Sequence, residues 1–195
     1  MPNILPSIEE SLCDLESVLK ALDDSSIGEA IPFVDRAIKI WRAAGKFRDA
    51  MLARKLLSFI TDPSLQTAEA RTRMREQTES EEGKKIGETL FLVLEGLNDM
   101  QKPAWLAKAY AAYLASEISA SEFRRMASAI DIAFSDDLIA LITTAEPSPD
   151  DSAWKQNLVR SGLTSFFVLT PIGGSKTVYH VTNLGKLFQE AMLGY

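Results

Sequence analysis

The sequence predicts a mainly α-helical protein that ends in a two-stranded β-hairpin. Three observations predict this. Apolar residues recur at helical spacing through most of residues 7–161. The period changes to alternation after Gly162. A Gly173-Gly174 pair then separates two short runs rich in aromatic and β-branched residues. The chain reads as a helical region, 1–118, followed by a domain at 119–195 that carries the hairpin. Its 195 residues, 46% hydrophobic and 25% charged, can bury a core and do not have the composition of a disordered chain.

Each element has a local reason. Residues 7–24 form an acidic amphipathic helix on Ile8, Leu12, Leu15, Val18, Leu19 and Leu22. A second, basic amphipathic helix runs over 33–60 with Val34, Ile38, Trp41, Leu52, Leu56 and Phe59 as its stripe, and Gly45-Lys46 marks a kink or break. Asp62 caps a new start, with Pro63 at the first helical position, where no N–H is wasted. Residues 63–82 are mostly polar and pack only through Leu65, Ala68 and Met74. Core stripes return at Ile86, Leu90, Phe91, Leu94 and Leu97, then at Trp105, Leu106, Ala109, Tyr110, Tyr113 and Leu114, as a helical hairpin.

Ser119 and Glu122 form a capping box, with Ile118 and Phe123 at the hydrophobic staple positions around it. The helix that follows covers 120–134, with Phe123, Met126, Ala127, Ile130 and Phe134 inward. Ser135 caps a short helix to 145, and Ser148-Pro149 starts another that ends at Gly162. Residues 163–171 and 177–181 are the strands, with a turn at 172–176. Thr182 caps a last helix that packs through Leu187, Phe188, Ala191 and Met192.

Helices 120–134, 136–145 and 149–161 followed by a hairpin, with Leu158-Val159-Arg160-Ser161-Gly162-Leu163 and Tyr179-His180-Val181-Thr182-Asn183-Leu184-Gly185, are similar to the "LVxxGLL … YxLTxxG" ending of bacterial winged-helix proteins such as the MarR and PadR families. The resemblance covers roughly 120–195. It implies a winged-helix-like domain in a bacterial or phage protein. That fold serves as DNA reader, subunit contact or protein-docking module, so the fold does not choose among them. In a DNA reader the recognition helix would be 149–161, and Lys155, Gln156, Asn157 and Arg160, with Lys176 in the wing, would make the contacts. This chain departs from that pattern, because Asp150 and Asp151 stand at the helix start, where they complement the dipole and repel phosphate.

Charge is uneven. Residues 1–30 hold one Lys against seven Asp or Glu, and 31–60 hold seven Lys or Arg against two Asp, within a net charge of −6. The basic stretch contains Arg36, Lys39, Arg42, Lys46, Arg48, Arg54 and Lys55, with Trp41 and Phe47 beside them. It reads first as a solvated helix face neutralised by the acidic segment. Its alternatives are contact with phosphate or an anionic membrane surface through Arg36, Lys39, Trp41, Arg42, Lys46 and Arg48, and contact with nucleic acid.

Little in the sequence points to catalysis. One His, His180, and one Cys, Cys13, support neither a nucleophilic triad nor a thiolate metal cluster. Gly173-Gly174-Ser175-Lys176 lacks the first Gly of a phosphate-binding loop and precedes a strand. Asp131, mid-helix, reads as structural, partnered by Arg124, Arg125 or Lys108. No apolar run reaches a membrane span, and the start of the chain is acidic rather than signal-like, so the expected compartment is the cytoplasm. The expectation is a non-enzymatic interaction or regulatory protein without cofactor or small-molecule substrate, its C-terminal domain contacting a protein partner or a dimer mate. A DNA-binding regulator is the alternative, and a peripheral membrane factor acting through 33–60 the third reading.

Overall fold

A computed structural model of the chain describes residues 47–78, 80–145, 148–170 and 174–194. The acidic helix expected at 7–24 and the basic residues Arg36, Lys39, Trp41, Arg42 and Lys46 lie outside these. Among the described residues there are eight α-helices and one antiparallel hairpin, a mainly helical architecture closing on a small sheet. Two compact units are separated between Glu95 and Gly96.

The first unit contains α1 (Phe47–Ile60), a 3-10 turn (Pro63–Leu65), α2 (Ala68–Thr78) and most of α3 (Glu81–Gly96). Arg48 falls in the first turn of α1. Asp62 caps as expected, its carboxylate accepting from Ser64 N at 3.0 Å, but the helix it starts lasts only three residues. The polar segment restarts at Thr67, whose hydroxyl accepts from Ala70 N at 3.1 Å. Leu65, Ala70 and Met74 are its buried apolar residues. Ala68 is exposed, because as the first helical residue it lies off the stripe that Ala70 and Met74 share. Lys55 is buried and donates to the Glu95 carbonyl in the last turn of α3, at 3.0 Å.

The second unit contains α4 (Lys102–Leu114), α5 (Ala120–Ile132), α6 (Ser135–Thr143), α7 (Ala153–Asn157) with a 3-10 turn (Leu158–Ser161), β1 (Thr164–Leu169), β2 (Lys176–Val181) and α8 (Asn183–Leu193). The helix α4, which the sequence groups with 1–118, packs here on α5 and α8. Its Tyr110 and Tyr113 rings stand 6.1 Å apart, and each is 5.7 Å from Phe123 of α5. Ile118 and Phe123 are buried around Ser119, whose capping box with Glu122 is fully formed. Leu106, Met126, Ile130, Leu138, Leu141, Leu158, Leu163 and Phe188 complete an apolar centre. Burying such side chains contributes on the order of 2 kcal/mol each before entropy is counted.

Helix C-termini in this unit are closed from a distance. Neither α5, α6 nor α8 has a basic residue in its last turn. Lys102 Nζ instead donates to the Asp131 carbonyl at 2.8 Å, Lys108 Nζ to the Met192 carbonyl at 2.7 Å, and Gln189 Nε2 to the Leu141 and Thr144 carbonyls at 2.7 and 3.0 Å. Each donor satisfies carbonyls left over at a helix end, and the two lysines also oppose the negative pole of the dipole. Burial pushes the Lys102 amine below the usual lysine range, opposed by the Asp131 and Asp99 charges. Asp131 therefore meets Lys102 of α4, through its backbone carbonyl and its charge.

Three local expectations change. Ser135 does not cap α6; Phe134 holds that position, and the Ser135 hydroxyl donates to the Asp99 carboxylate. Phe134 is 68% exposed rather than inward, because α5 stops at Ile132 and Ala133 turns extended, which takes Phe134 off the helical period. The helix expected from 149 begins only at Ala153. Asp150 is held extended beside β2, its N–H and carbonyl pairing with Tyr179 at 3.1 and 2.7 Å.

The hairpin pairs Thr164 with Val181 through to Leu169 with Lys176. Residues 171–173, the end of the expected strand and the start of the expected turn, lie outside the described set. Its root is latched by Thr182. The hydroxyl donates to the Gly162 carbonyl at 2.8 Å and accepts from Gly185 N at 3.1 Å, capping α8. Gly162 closes the preceding turn at φ 76°, a conformation that costs glycine little. Gly185 allows close approach, since a Cβ there would lie 2.2 Å from the Leu163 carbonyl oxygen.

Candidate docking surface of the hairpin

The five polar residues expected to make contacts do not form a basic surface. Lys155 is 1% exposed. Its ammonium donates to the Ser148 carbonyl at 2.5 Å and to Asp150 Oδ2 at 2.7 Å. It fastens the extended 148–152 segment to α7 and is withdrawn from any partner. Asp150 is fixed on its other oxygen by the Ser152 N–H and hydroxyl at 2.9 and 2.5 Å. The Lys155 hydrogen bond, with Ser152 adding to it, pulls the Asp150 carboxyl down to about 2. Asn157 is exposed, and its amide donates to Asp137 at 3.3 Å. Lys176 stands 3.4 Å from Asp151, an exposed pair. Gln156 and Arg160 are exposed. The helix start is therefore carboxylate-rich, and Arg160 is the one exposed cation of the 153–161 helical segment.

The same hairpin exposes apolar side chains. Phe166 is 54% exposed, Phe167 39%, Val168 52% and Leu169 47%. Alternation explains it. Phe166 and Val168 share one face with Tyr179, and Phe167 and Leu169 share the other with His180. A two-stranded ribbon rooted at Thr164 and Val181 cannot cover both faces at its outer end. Ring contacts hold the aromatics in place: Phe166 is 6.1 Å from Tyr179 and Phe167 is 5.6 Å from His180.

Beside the second face lies an open groove of about 1010 Å³ between the end of α6, the hairpin and α8. Ile142, Pro149, Phe167, His180, Gln189 and Leu193 are among its lining residues. Gln189 is committed to the α6 carbonyls, and the His180 Nδ1 atom is buried with no hydrogen-bond partner among the described residues. Among the described residues no three His, Cys, Asp or Glu side chains converge on a metal-sized site, and no helix is long and apolar enough to cross a membrane.

Sequence reasoning found the hairpin and missed the importance of Phe166–Leu169 as surface. The signal was there: four consecutive apolar residues on a ribbon with one partner strand must expose some of them on each face. No protein-family model, no curated protein and no solved structure matches this chain.

Proposed function

We propose that the 96–195 unit is a winged-helix-like docking module of a non-enzymatic interaction or regulatory protein, and that the hairpin meets a protein partner. The carrying observation is the exposed run Phe166-Phe167-Val168-Leu169 beside the apolar groove. Aromatic and aliphatic side chains held in place by neighbouring rings lose little entropy on binding, and interface centres are enriched in them and poor in charge. The DNA reading loses support from the burial of Lys155 and the position of Asp150 and Asp151, because duplex affinity scales with the number of phosphates neutralised.

The test is site-specific photo-crosslinking in cells, with benzoylphenylalanine at Phe166 and, as control, at Gln156. Irradiation is expected to yield a discrete protein adduct from position 166 and none from position 156. No protein adduct at 166, together with salt-sensitive DNA retardation that Arg160→Ala abolishes, would replace docking with DNA recognition.

A further inference from the structure

We infer that the hairpin docks on a second copy of this chain: β1 pairs with β1 of the other copy, antiparallel across a two-fold axis, and two hairpins become one four-stranded sheet. This rests on the docking reading and names its occupant.

The two edges of the hairpin differ. The outer side of β2 is covered where Asp150 exchanges both backbone hydrogen bonds with Tyr179. The outer side of β1 has no strand partner among the described residues. It therefore presents a row of backbone N–H and C=O groups along six residues. Edge strands that stay single are protected by charge, proline or a bulge. Thr164-Ser165-Phe166-Phe167-Val168-Leu169 has no charge and no proline, and its register with β2 runs unbroken from end to end.

A second copy meets β1 without charge conflict. At a two-fold axis each residue lies near its own image, so a charge there meets its like. β1 is neutral throughout and meets this condition, whereas β2 carries Lys176.

The geometry also sets the register. Outward backbone groups belong to every second residue, so the axis must pass at a residue and not between two. Thr164 is 2% exposed and its hydroxyl is spent on the Lys155 carbonyl, which withdraws it from the edge. β1 ends at Leu169, which bounds the other end. An axis at Phe167 fits the span that remains. It sets Phe167 against its own image, Phe166 against Val168, and Ser165 against Leu169. These are apolar or neutral cross-strand pairs, of the kind that stabilise sheets.

Sedimentation equilibrium of the full chain, up to about 100 µM because an interface of one strand pair is small, is expected to show a reversible species of twice the 21.5 kDa chain mass. Phe167→Lys places two ammonium groups at the axis and is expected to weaken that dimer at least about tenfold, with helical circular dichroism unchanged. Leu169→Lys, at the strand end, serves if Phe167→Lys misfolds. In a Cys13→Ser background, Phe167→Cys is expected to form a disulfide-linked dimer on mild oxidation, and Thr177→Cys on β2 is not. A wild-type chain that stays monomeric, or a dimer indifferent to both lysine substitutions, overturns the inference. The crosslinker at Phe166 separates the two readings. An adduct with a different protein sinks self-pairing and keeps docking, whereas the absence of any protein adduct sinks both.

Discussion

The Lys155 ammonium is buried 2.7 Å from the Asp150 carboxylate, and this pair joins the first residues of an extended segment to the helix that follows it. A helix that began at Pro149 would put Asp150 in its first turn. The chain instead spends Asp150 on a bridge to β2 and on Lys155, and delays the helix to Ala153. Lys155, one of the five contact residues that the winged-helix resemblance implies, is thereby a structural fastener.

Removing either partner of this pair should have unequal effects. Asp150→Ala leaves a buried ammonium short of its counter-charge and is expected to cost about 3 kcal/mol. Lys155→Met leaves a carboxylate that is 41% exposed and still bonded by Ser152, so the expected cost is about 1 kcal/mol. Urea denaturation of the two variants measures the difference, and equal losses would contradict the fastening role.

Acid should weaken the fold in a definite window. The folded-state pKa of Asp150 is about 2, below an unfolded value of about 3.9. Its contribution is therefore complete above pH ~4 and is lost as pH falls through about 2. Asp99 and Glu122 shift in the same direction, held down chiefly by the backbone N–H groups of Gln101 and Ser119. Melting temperature followed from neutral pH to pH ~2 is expected to fall through this window, and Asp150→Asn to flatten part of that fall. An unchanged slope in Asp150→Asn would show that the pair does not form.

The remote caps predict that two lysines matter for stability and a third does not. Lys102→Met and Lys108→Met each strip a donor from a helix-end carbonyl and are expected to cost about 1.5 kcal/mol. Lys186→Met, on the exposed rim of the groove, is expected to stay within about 0.5 kcal/mol of wild type. Denaturation midpoints that fail to separate the first two from the third would remove capping as their role.

Ser116 ends α4 in a left-handed conformation at φ 62°, with Glu117 N bonded to the Ala112 carbonyl at 3.0 Å. That turn ordinarily takes glycine. Ser116→Gly is expected to stabilise the fold by about 0.5 kcal/mol once the added freedom of the unfolded chain is subtracted. Thermal unfolding checks it, and a lower melting temperature would contradict the assigned backbone.

Local chemistry by itself determined much of this protein. The Ser119–Glu122 box, the Gly162 turn, the Thr182 cap and the change from helical to alternating period are decided by side chains within four residues of one another, so they can be read along the chain. Tertiary structure decided the rest. Lys102 finds Asp131 and Lys108 finds Met192 only after helices pack, and Lys155 meets Asp150, five residues away, where the bridge to Tyr179 holds Asp150 outside the helix; an ammonium on a flexible stem looks the same in sequence whether it meets solvent or a buried carbonyl. Whether four apolar residues in a strand become core or surface depends on how many strands cover them. Here β2 is their one partner among the described residues, and Phe166, Phe167, Val168 and Leu169 are left at the surface.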